Sequence, residues 1–223
     1  MDRNNVSPLT IEIHELFQSI LSSPTITSRF GVVHIILALF KFAQNPEGIG
    51  RYALRKELLI GEGMARSIVK KLKEKHLITR KSTRKGHVLT PEGRALFEKI
   101  QAEIPYCGEA PENCRKLIIK GFPYFCLVRG RAGKLGLGIE ARDAAIKIGG
   151  LGATCLVVGA ERLHFPREQD PINGEIRESF GALVPLRVGD VIVIGAGEDE
   201  TTARLAAMNA ALSLTDLQPA GGF

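Results

Sequence analysis

Positive charge is concentrated in one stretch of the sequence, between Arg51 and Lys85. This stretch contains 12 Lys or Arg and 3 Asp or Glu residues, a balance of +9, whereas the whole chain carries +6, so the rest sums to −3. Clustered cationic side chains bind phosphate groups through charge and hydrogen bonds. The sequence therefore predicts a polyanion as the partner of this stretch. The alternative is that these cations lie on exposed helix faces and are only solvated.

Within the stretch, apolar residues recur at the spacing of one helix face, at Ala65, Ile68, Val69 and Leu72. Charged and polar residues occupy the rest of the circumference, so one side of this helix packs and the other is cationic. A short helical segment, residues 51–58, precedes it across a glycine-rich turn, which predicts a helix-turn-helix. Two short strand patterns, residues 77–81 and 87–89, follow it and predict a hairpin with a polar tip.

A further helix is predicted after this hairpin, because Thr90, Pro91 and Glu92 supply an N-cap, a proline at the first helical position and an acid in the first turn. With these residues the stretch resembles the winged-helix DNA-binding domain of transcriptional regulators, over roughly residues 31–104. The resemblance implies that the second helix of the pair enters the major groove of double-stranded DNA. It also implies a homodimer, with the helix at residues 91–103 at the interface.

Two sets of DNA contacts follow from this reading. Base edges are assigned to the residues near the N-terminus of the second helix, which are Glu62, Arg66, Ser67 and Lys70. Arg66 is matched to guanine, because its planar fork meets two acceptors, while Glu62 either accepts from cytosine or caps the helix. Phosphates are assigned to the cations Lys71, Lys73, Arg80, Lys81, Arg84 and Lys85. Arg84, at the hairpin tip, has the minor groove as an alternative.

The length of 223 residues and a hydrophobic content of 44% fit two domains, each able to bury a core. We expect a winged-helix domain with an N-terminal helical extension at residues 1–104, a linker at 105–114, a second domain at 115–214 and a flexible tail at 215–223. The first residues lack the layout of a secretion signal, and the longest apolar run is too short to span a bilayer. We therefore expect a cytoplasmic protein with no membrane partner.

The second domain alternates between strand and helix patterns. Strands are predicted at residues 116–120, 124–129, 153–158, 162–165 and 191–194, and helices at 139–148 and 199–214. The first two strands, and then the next two, are predicted to pair as hairpins across glycine-containing turns. This order predicts an α/β protein of the α+β type, whose second domain is a two-layer α/β sandwich with helices on one face of a largely antiparallel sheet.

A second resemblance is carried by residues 138–166, GIEARDAAIKIGGLGATCLVVGAERLHFP. This segment resembles the C-terminal domain of archaeal winged-helix proteins of uncharacterised function. That domain is similar in fold to the GAD domain of some aspartyl-tRNA synthetases and amidotransferase subunits. The resemblance implies a GAD-like fold but no ligand and no reaction, because a fold does not determine a function.

Two places in the second domain have the composition of an anion site. The loop at residues 130–138 combines glycines with Arg131 and Lys134, and is either an anion cradle or a flexible loop. Arg142, next to Asp143, either forms a structural ion pair or faces a ligand. These three cations are the candidates for binding an effector of unknown identity.

The sequence predicts no catalytic residue, cofactor or metal. The Gly195-Ala196-Gly197 sequence precedes a helix, but it lacks the third glycine of a dinucleotide site, and acids that cap the helix crowd its N-terminus. The cysteines lack the CxxC spacing of a zinc site. Cys107 and Cys114, separated by six residues, are either a redox pair or free thiols in a reducing compartment. No nucleophile stands at a recognisable spacing from His164.

These patterns favour a sequence-specific DNA-binding transcriptional regulator, dimeric, whose second domain serves assembly, effector binding or both. One alternative is an enzyme with a DNA-binding regulatory head, which requires a pocket with a nucleophile or paired carboxylates in the second domain. The other is a winged helix that contacts protein or RNA as an interaction module. In that case, substitution of Arg66 should matter no more than substitution of a neighbouring lysine.

Overall fold

The computed structural model describes residues 8–22, 30–82, 85–168, 170 and 172–217. Backbone contacts divide the chain into two compact units, described here separately. Unit 1 comprises the described residues up to Ile100 together with Leu217, and unit 2 comprises Gln101–Asp216. Helices and strands are both present, so the predicted α+β class is confirmed. No helix in the described ranges is long and apolar enough to cross a lipid bilayer.

Unit 1 consists of helices and one β-hairpin. Its elements are α1 (Pro8–Leu21), α2 (Val32–Gln44), α3 (Arg51–Leu58), α4 (Glu62–Glu74), β1 (Ile78–Ser82), β2 (Gly86–Leu89) and α5 (Pro91–Glu103). The last three residues of α5, 101–103, belong to unit 2. The most buried helix is α2, in which Ile35, Ile36 and Leu39 are inaccessible to solvent. A helix that is apolar almost all round requires packing partners on every side. It therefore forms the centre of the core of unit 1.

The apolar stripe of α4 packs as its spacing predicts. Ala65, Ile68 and Leu72 are fully buried and Val69 is nearly so, and the helix lies against α3 and β1. The turn before α4 is tight because Leu59 ends α3 in the left-handed conformation, at φ 52°. The predicted pair of helices joined by a short turn is therefore present, and the cationic side of α4 is directed outward.

The hairpin of β1 and β2 is fixed to the segment that precedes α3. The Ile49 N–H donates to the His87 carbonyl and the His87 N–H donates to the Ile49 carbonyl, each at 2.9 Å. A Cβ atom at Gly48 would lie 2.3 Å from the Lys85 carbonyl oxygen, and one at Gly86 would lie 2.4 Å from the Ile49 carbonyl oxygen. Both glycines also have positive φ. Any other residue at either position would separate the two segments.

The helix after the hairpin begins at the predicted cap. The Thr90 Oγ1 accepts a hydrogen bond from the Gly93 N–H at 3.0 Å and donates to the His76 carbonyl at 2.6 Å. The apolar side of α5 faces its own unit, where Phe97 packs edge-on against Phe40 at a centroid distance of 5.1 Å. Leu96, Phe97 and Ile100 are all buried. The apolar side that the expected dimer contact would use is therefore occupied within unit 1.

Unit 2 is built on a five-stranded antiparallel sheet. Its elements are β3 (Tyr106–Glu109), a 3-10 helix (Glu112–Leu117), β4 (Phe122–Val128), a second 3-10 helix (Ala132–Lys134), α6 (Ile139–Lys147), β5 (Gly152–Val158), β6 (Leu163–His164), α7 (Gly174–Leu183), β7 (Val191–Gly197) and α8 (Glu200–Ser213). The strand order is β3-β4-β7-β5-β6. The predicted hairpin of β5 and β6 is confirmed. Two strands more distant in sequence, β4 and β7, form the centre.

The structure differs from two local predictions at the start of this unit. Residues 105–114, predicted as a linker, contain β3 and the beginning of the first 3-10 helix. The chain pairs here because Tyr106 stacks on Phe125 with ring centroids 4.7 Å apart, which gives the edge strand an apolar contact. Residues 116–120, predicted as a strand, do not join the sheet. Lys116 and Leu117 end the 3-10 helix, residues 118–120 are bends, and Ile119 is fully exposed.

Helices cover both faces of the sheet. The predicted layer is formed by α6 and α8, which pack on the face of β5, β7 and β4. On the opposite face lie α7, which the sequence did not predict, and the first 3-10 helix. Phe180 of α7 packs edge-on against Phe125 at 4.7 Å, above a buried cluster that includes Cys114. The sandwich therefore has a partial third layer, which explains why every residue of β7 is buried.

Burial of His34 makes the stability of unit 1 depend on pH. His34 Nδ1 accepts a hydrogen bond from the Gly31 N–H at 3.1 Å, and burial lowers the pKa of His34 below its usual 6.5. Below about pH 6.5 the unfolded chain therefore binds more protons at His34 than the folded chain does. The free energy of unfolding falls as pH drops through this value. We expect the urea midpoint of unit 1 to fall more steeply from pH 7.5 to 5.5 in the wild type than in His34→Gln. The matched control is His76→Gln, at an exposed histidine, whose pH dependence should equal that of the wild type; equal slopes in all three would contradict the assignment.

Candidate nucleic-acid interface

A cationic groove lies on unit 1 between the start of α3, the outer side of α4 and the hairpin. Its volume is about 720 Å3, and we refer to it as the basic groove. It is lined by Gly50, Arg51, Tyr52, Arg66, Val69, Lys70, Lys73, Glu74, Arg80, Gly86 and His87. Five of these residues are cationic and one is acidic, so the groove has the charge and shape to hold an anionic polymer.

Three separate segments bring the cations of the groove together. Arg51 begins α3 two residues after Ile49, whose backbone is bonded to the hairpin at His87. Arg80 lies directly opposite His87 in the antiparallel pair of β1 and β2. Lys73 comes from the last turns of α4, whose buried side holds the helix against α3 and β1. The groove therefore depends on tertiary contacts that no single helix or strand provides.

The four residues predicted to read bases lie together at the start of α4. Arg66 is 64% exposed and Lys70 is 74% exposed, so both are accessible. The Arg66 Nη2 lies 2.9 Å from the Glu62 Oε1, and the Ser67 Oγ donates to the Gly63 carbonyl at 2.9 Å. An exposed pair one helical turn apart contributes about 0.3 to 0.5 kcal/mol. A guanine offering two acceptors can therefore replace the carboxylate on Arg66 at low cost.

The predicted phosphate contacts of α4 separate into two groups. Lys73 is exposed and lines the basic groove, as does Arg80 on β1. Lys71 is half-buried on the other side of the helix, where its Nζ donates to the Ser22 carbonyl at 2.8 Å. Lys71 therefore does not line the basic groove, and its assignment to phosphate stays a prediction.

The two described hairpin lysines share one carboxylate. The Glu47 Oε2 lies 2.9 Å from the Lys85 Nζ and 3.3 Å from the Lys81 Nζ. Hydrogen bonds from Lys85 and Lys81 lower the pKa of Glu47, which keeps it ionised. Both lysines are solvent-exposed, and a phosphate oxygen can take the place of the carboxylate. Arg84, predicted at the hairpin tip, lies outside the residues that the structure describes.

Two groove residues were missed in the sequence, although Arg51 was counted in the charge of the stretch. The Arg51 guanidinium lies 4.8 Å from the centroid of the Tyr52 ring, and its Nη2 donates to the Tyr52 Oη at 3.1 Å. Tyr52 is 64% exposed. The first helix of a helix-turn-helix crosses the DNA backbone. A cation followed by an aromatic residue at the first helical positions of α3 is the sequence signal that could have identified these two groove residues.

His87 was also missed, because its position in the groove depends on the register in which β1 and β2 pair. Its Nδ1 is buried and has no hydrogen-bond partner. Burial, followed by the positive charges of Lys73 and Arg80, lowers the pKa of His87. The ring is therefore neutral at physiological pH and lies beside two cations that an incoming phosphate would neutralise.

The predicted anion loop of unit 2 is occupied by the protein's own carboxylates. The Arg131 Nη2 contacts the Glu103 Oε2 at 2.7 Å and the Asp216 Oδ2 at 2.9 Å, and the Lys134 Nζ contacts the Asp216 Oδ1 at 2.7 Å. Burial alone would raise the pKa of Asp216, but the hydrogen bonds from Lys134 and Arg131 outweigh burial and lower it. Both cations are therefore paired with carboxylates of the same unit, and their assignment to a ligand stays a prediction.

Arg142, the third predicted ligand residue, lies elsewhere on the unit. Its Nη2 is 3.2 Å from the Asp143 Oδ1, and both side chains are exposed. It borders the open edge of β5, where it lines a shallow pocket together with Gly152 and Ala153. Arg142 therefore belongs to a surface and not to the loop of Arg131.

The Gly195-Ala196-Gly197 sequence has a packing role. A Cβ at Gly195 would lie 2.2 Å from the Ala207 nitrogen, and one at Gly197 would lie 2.3 Å from the Ala203 nitrogen. The two glycines thus allow α8 to contact β7 backbone to backbone. Asp199 caps α8 by accepting from the Thr202 N–H at 2.7 Å, as predicted for the acids at this position.

The structure changes the candidate redox pair. Cys107 and Cys126 lie directly opposite each other on β3 and β4, with their Sγ atoms 3.2 Å apart. Cys114 is instead buried in the core under α7, and burial raises its pKa to about 12. Of the two alternatives for Cys107 and Cys114, the structure agrees with free thiols, because both are free and the register of β3 places Cys107 next to Cys126.

Comparison with known proteins matches the two parts of the chain separately. Residues 33–95 match a family model described as the PH0730-like, N-terminal domain, and residues 119–214 match the domain of unknown function DUF4443. A solved structure, hypothetical protein PH0730 from Pyrococcus horikoshii OT3, is similar at a TM-score of 0.64 and 25% identity, over 83% of this chain and 93% of that chain. These matches support an uncharacterised archaeal family. None of the curated proteins matches the chain.

The matched segments correspond to the two units. The first lies within unit 1 and contains α3, α4 and the hairpin, and the second lies within unit 2. The solved relative covers both, so the combination of the two units is a property that this chain shares with it. The names of the two matched families and of the solved relative state no activity.

Proposed function

We propose that this protein is a transcriptional regulator that binds double-stranded DNA sequence-specifically through the basic groove. The observation that carries the proposal is the accessibility of Arg66 and Lys70 on the outer side of α4, next to the further cations Lys73 and Arg80. A helix paired with a second helix and followed by a hairpin is the arrangement of a winged helix-turn-helix. The proposal would fail if the side chains of Arg66 and Lys70 were buried in contacts within the protein, and both are exposed.

The dimensions and charges of unit 1 suit a DNA duplex. A helix with its side chains is about 10 to 12 Å wide, and the major groove is about 12 Å wide. With α4 in the groove, Arg66 reaches base edges near the N-terminus of the helix. Arg51, Lys73 and Arg80 then lie at the sides, where phosphates are placed, and the hairpin lysines extend this contact.

In this proposal unit 2 serves assembly. Arg131 and Lys134 are committed to Glu103 and Asp216, so the loop that was the best candidate for an effector has no free cation among its described residues. Two carboxylates framed for acid–base chemistry, which an enzyme with a regulatory DNA-binding head would need, do not appear among the groups described above. We therefore propose assembly as the role of unit 2.

One observation favours a second candidate, the binding of single-stranded nucleic acid or RNA. Tyr52 presents an exposed ring inside the basic groove, with the Arg51 guanidinium on one face. Unpaired bases stack on such aromatic and guanidinium surfaces with little sequence preference. This candidate predicts that Tyr52→Ala weakens binding to a single strand more than binding to a duplex.

The experiment that tests the proposal is selection of bound DNA from a genomic library by the purified chain at two salt concentrations. A recurrent site with two-fold symmetry at both salts would support a dimeric regulator. Salt-sensitive binding without any enriched site would contradict sequence-specific recognition and favour the second candidate.

Substitution of Arg66 should relax base preference. We expect Arg66→Ala to lose about 1 to 3 kcal/mol on the selected site and much less on unrelated duplexes, because a bidentate contact to guanine disappears. Lys73→Ala should weaken all duplexes alike and flatten the salt dependence by about one unit. Titrations by fluorescence anisotropy would measure both, with Lys120→Ala in unit 2 as the matched control. Equal losses for Arg66→Ala on selected and random DNA would contradict the assignment.

Removal of the carboxylate that holds the hairpin lysines should tighten binding. Glu47→Gln releases Lys81 and Lys85 from their shared ion pair, so both can contact phosphate at full charge. We expect affinity for any duplex to rise about two- to fivefold at low salt, with a steeper salt dependence. The control is Glu57→Gln, which removes a carboxylate paired with Lys41 outside the groove. Unchanged or weaker binding by Glu47→Gln would place the hairpin outside the DNA contact.

Binding should tighten as pH falls because of His87. Lys73 and Arg80 contribute to the lowered pKa of His87 in the free protein, and phosphates would neutralise both charges and raise that pKa. The complex then binds more protons than the free protein, so affinity rises as pH drops through the range around and below 6.5. We expect this slope in the wild type between pH 7.5 and 5.5 and its loss in His87→Gln. The same slope in both proteins would exclude His87 from the interface.

A further inference from the structure

Of the seven large apolar residues that are exposed in the described part of unit 2, four lie on α6 or beside the open edge of the sheet. Two helices that present apolar or small residues, α5 and α8, use them inside the protein. In contrast, α6 leaves Ile139 50% exposed and Ile146 49% exposed. Leu137, next to the start of α6, and Ile119, beside the same sheet edge, are exposed as well. Exposed apolar residues that cluster in this way mark an interaction surface.

The exposed side of α6 has a regular order. Ile139 and Ile146 are seven residues apart and therefore lie on the same stripe, with the Arg142–Asp143 ion pair between them. Glu140 and Lys147, also seven residues apart, follow one flank of the stripe and are exposed. The stripe thus begins and ends with isoleucine, and its flank begins with an acid and ends with a base.

The stripe adjoins strand β5 where β5 lacks a neighbour. In the described part of the chain, β6 pairs only with Val157 and Val158, so the edge of β5 from residue 152 to 156 is open. Shallow pockets of about 170 and 230 Å3 lie along this edge, and Arg142, Ala153 and Thr154 line both. An unpaired edge with apolar residues beside it is a template for association.

We propose that a second copy of this chain binds this surface, with the two α6 helices antiparallel about a two-fold axis. The order of residues on α6 carries the choice of occupant, because a two-fold interface must be complementary to itself. Antiparallel pairing places Ile139 against Ile146 of the second copy. It also places Glu140 close to Lys147 of the second copy, on both sides of the axis.

At the axis itself, the two Arg142–Asp143 pairs lie next to each other. Each guanidinium is then beside two carboxylates and each carboxylate is beside two guanidinium groups, so the centre is neutral overall. The surrounding apolar residues, Leu137 and Ile119, extend the contact toward the open edge of β5. A helix of different sequence would have no reason to match this order of apolar, acidic and basic residues from end to end.

The first test is sedimentation equilibrium of the full chain without DNA, which makes the result independent of the proposed DNA binding. We expect the wild type to dimerise with a dissociation constant of about 100 µM or lower. Ile139→Asp and Ile146→Asp should be monomers that circular dichroism shows to be folded. The matched control is Val188→Asp, at a residue that is exposed elsewhere on unit 2 and should leave the dimer intact. A monomeric wild type, or a dimer that survives both isoleucine substitutions, would overturn the proposal.

The second test uses the charges on the flank, whose exposed positions should allow substitution without loss of the fold. Glu140→Lys alone and Lys147→Glu alone should each weaken the dimer about three- to tenfold, because like charges then meet at two symmetric places. The combined variant restores opposite charges across the interface and should return the dissociation constant to within about twofold of the wild type. Failure of the combined variant to recover would exclude antiparallel α6 pairing, even if the protein dimerises through another surface.

Discussion

Two backbone hydrogen bonds, between Ile49 and His87, determine the shape of the basic groove. They attach the hairpin to the residues that lead into α3, so that the first cation of α3 and those of the hairpin face the same space. Gly48 and Gly86 permit this approach, since each lies against the backbone of the opposite segment. The position of Arg51, Arg80 and the neutral ring of His87 therefore follows from a contact that contains no charged group.

The rest of the groove depends on burial. The stripe of α4 that includes Ile68 and Leu72 fixes the rotation of the helix, and this rotation decides which lysines face solvent. Lys70 and Lys73 are on the outer side, whereas Lys71 is turned toward α1 and bonds to Ser22. Three neighbouring lysines of the same type thus have different environments, because a helix advances by about 100° per residue.

The sequence predicted those features that local spacing encodes. The stripe of α4, the hairpin and the cap at Thr90 all depend on residues within a few positions of each other, and all are present. The structure departs from prediction where distant segments meet. Glu47 lies 38 residues from Lys85, and Asp216 lies 85 residues from Arg131. Local periodicity carries no information on such pairs. The sequence therefore predicted Lys85 and Arg131 as cations available to a ligand.

The sheet of unit 2 shows the same limit. Tyr106 begins an edge strand because it stacks on a ring in β4, although prolines and glycines around it are typical of a linker. The helix α7 was missed because its apolar residues are few, and Ile176 and Phe180 alone are fully buried. Both elements are held by contacts with the centre of the sheet, and their own sequences only weakly favour them.

The close contact between β7 and α8 has a consequence for how such proteins can diverge. Gly195 and Gly197 each lie so near the backbone of α8 that no larger residue fits without moving the helix. The groove, by contrast, is lined by exposed side chains such as those of Arg66 and Lys70, and replacing them need not move the backbone. The lining of the groove can therefore vary without disturbing the fold, while the scaffold of unit 2 admits almost no variation at these two glycines.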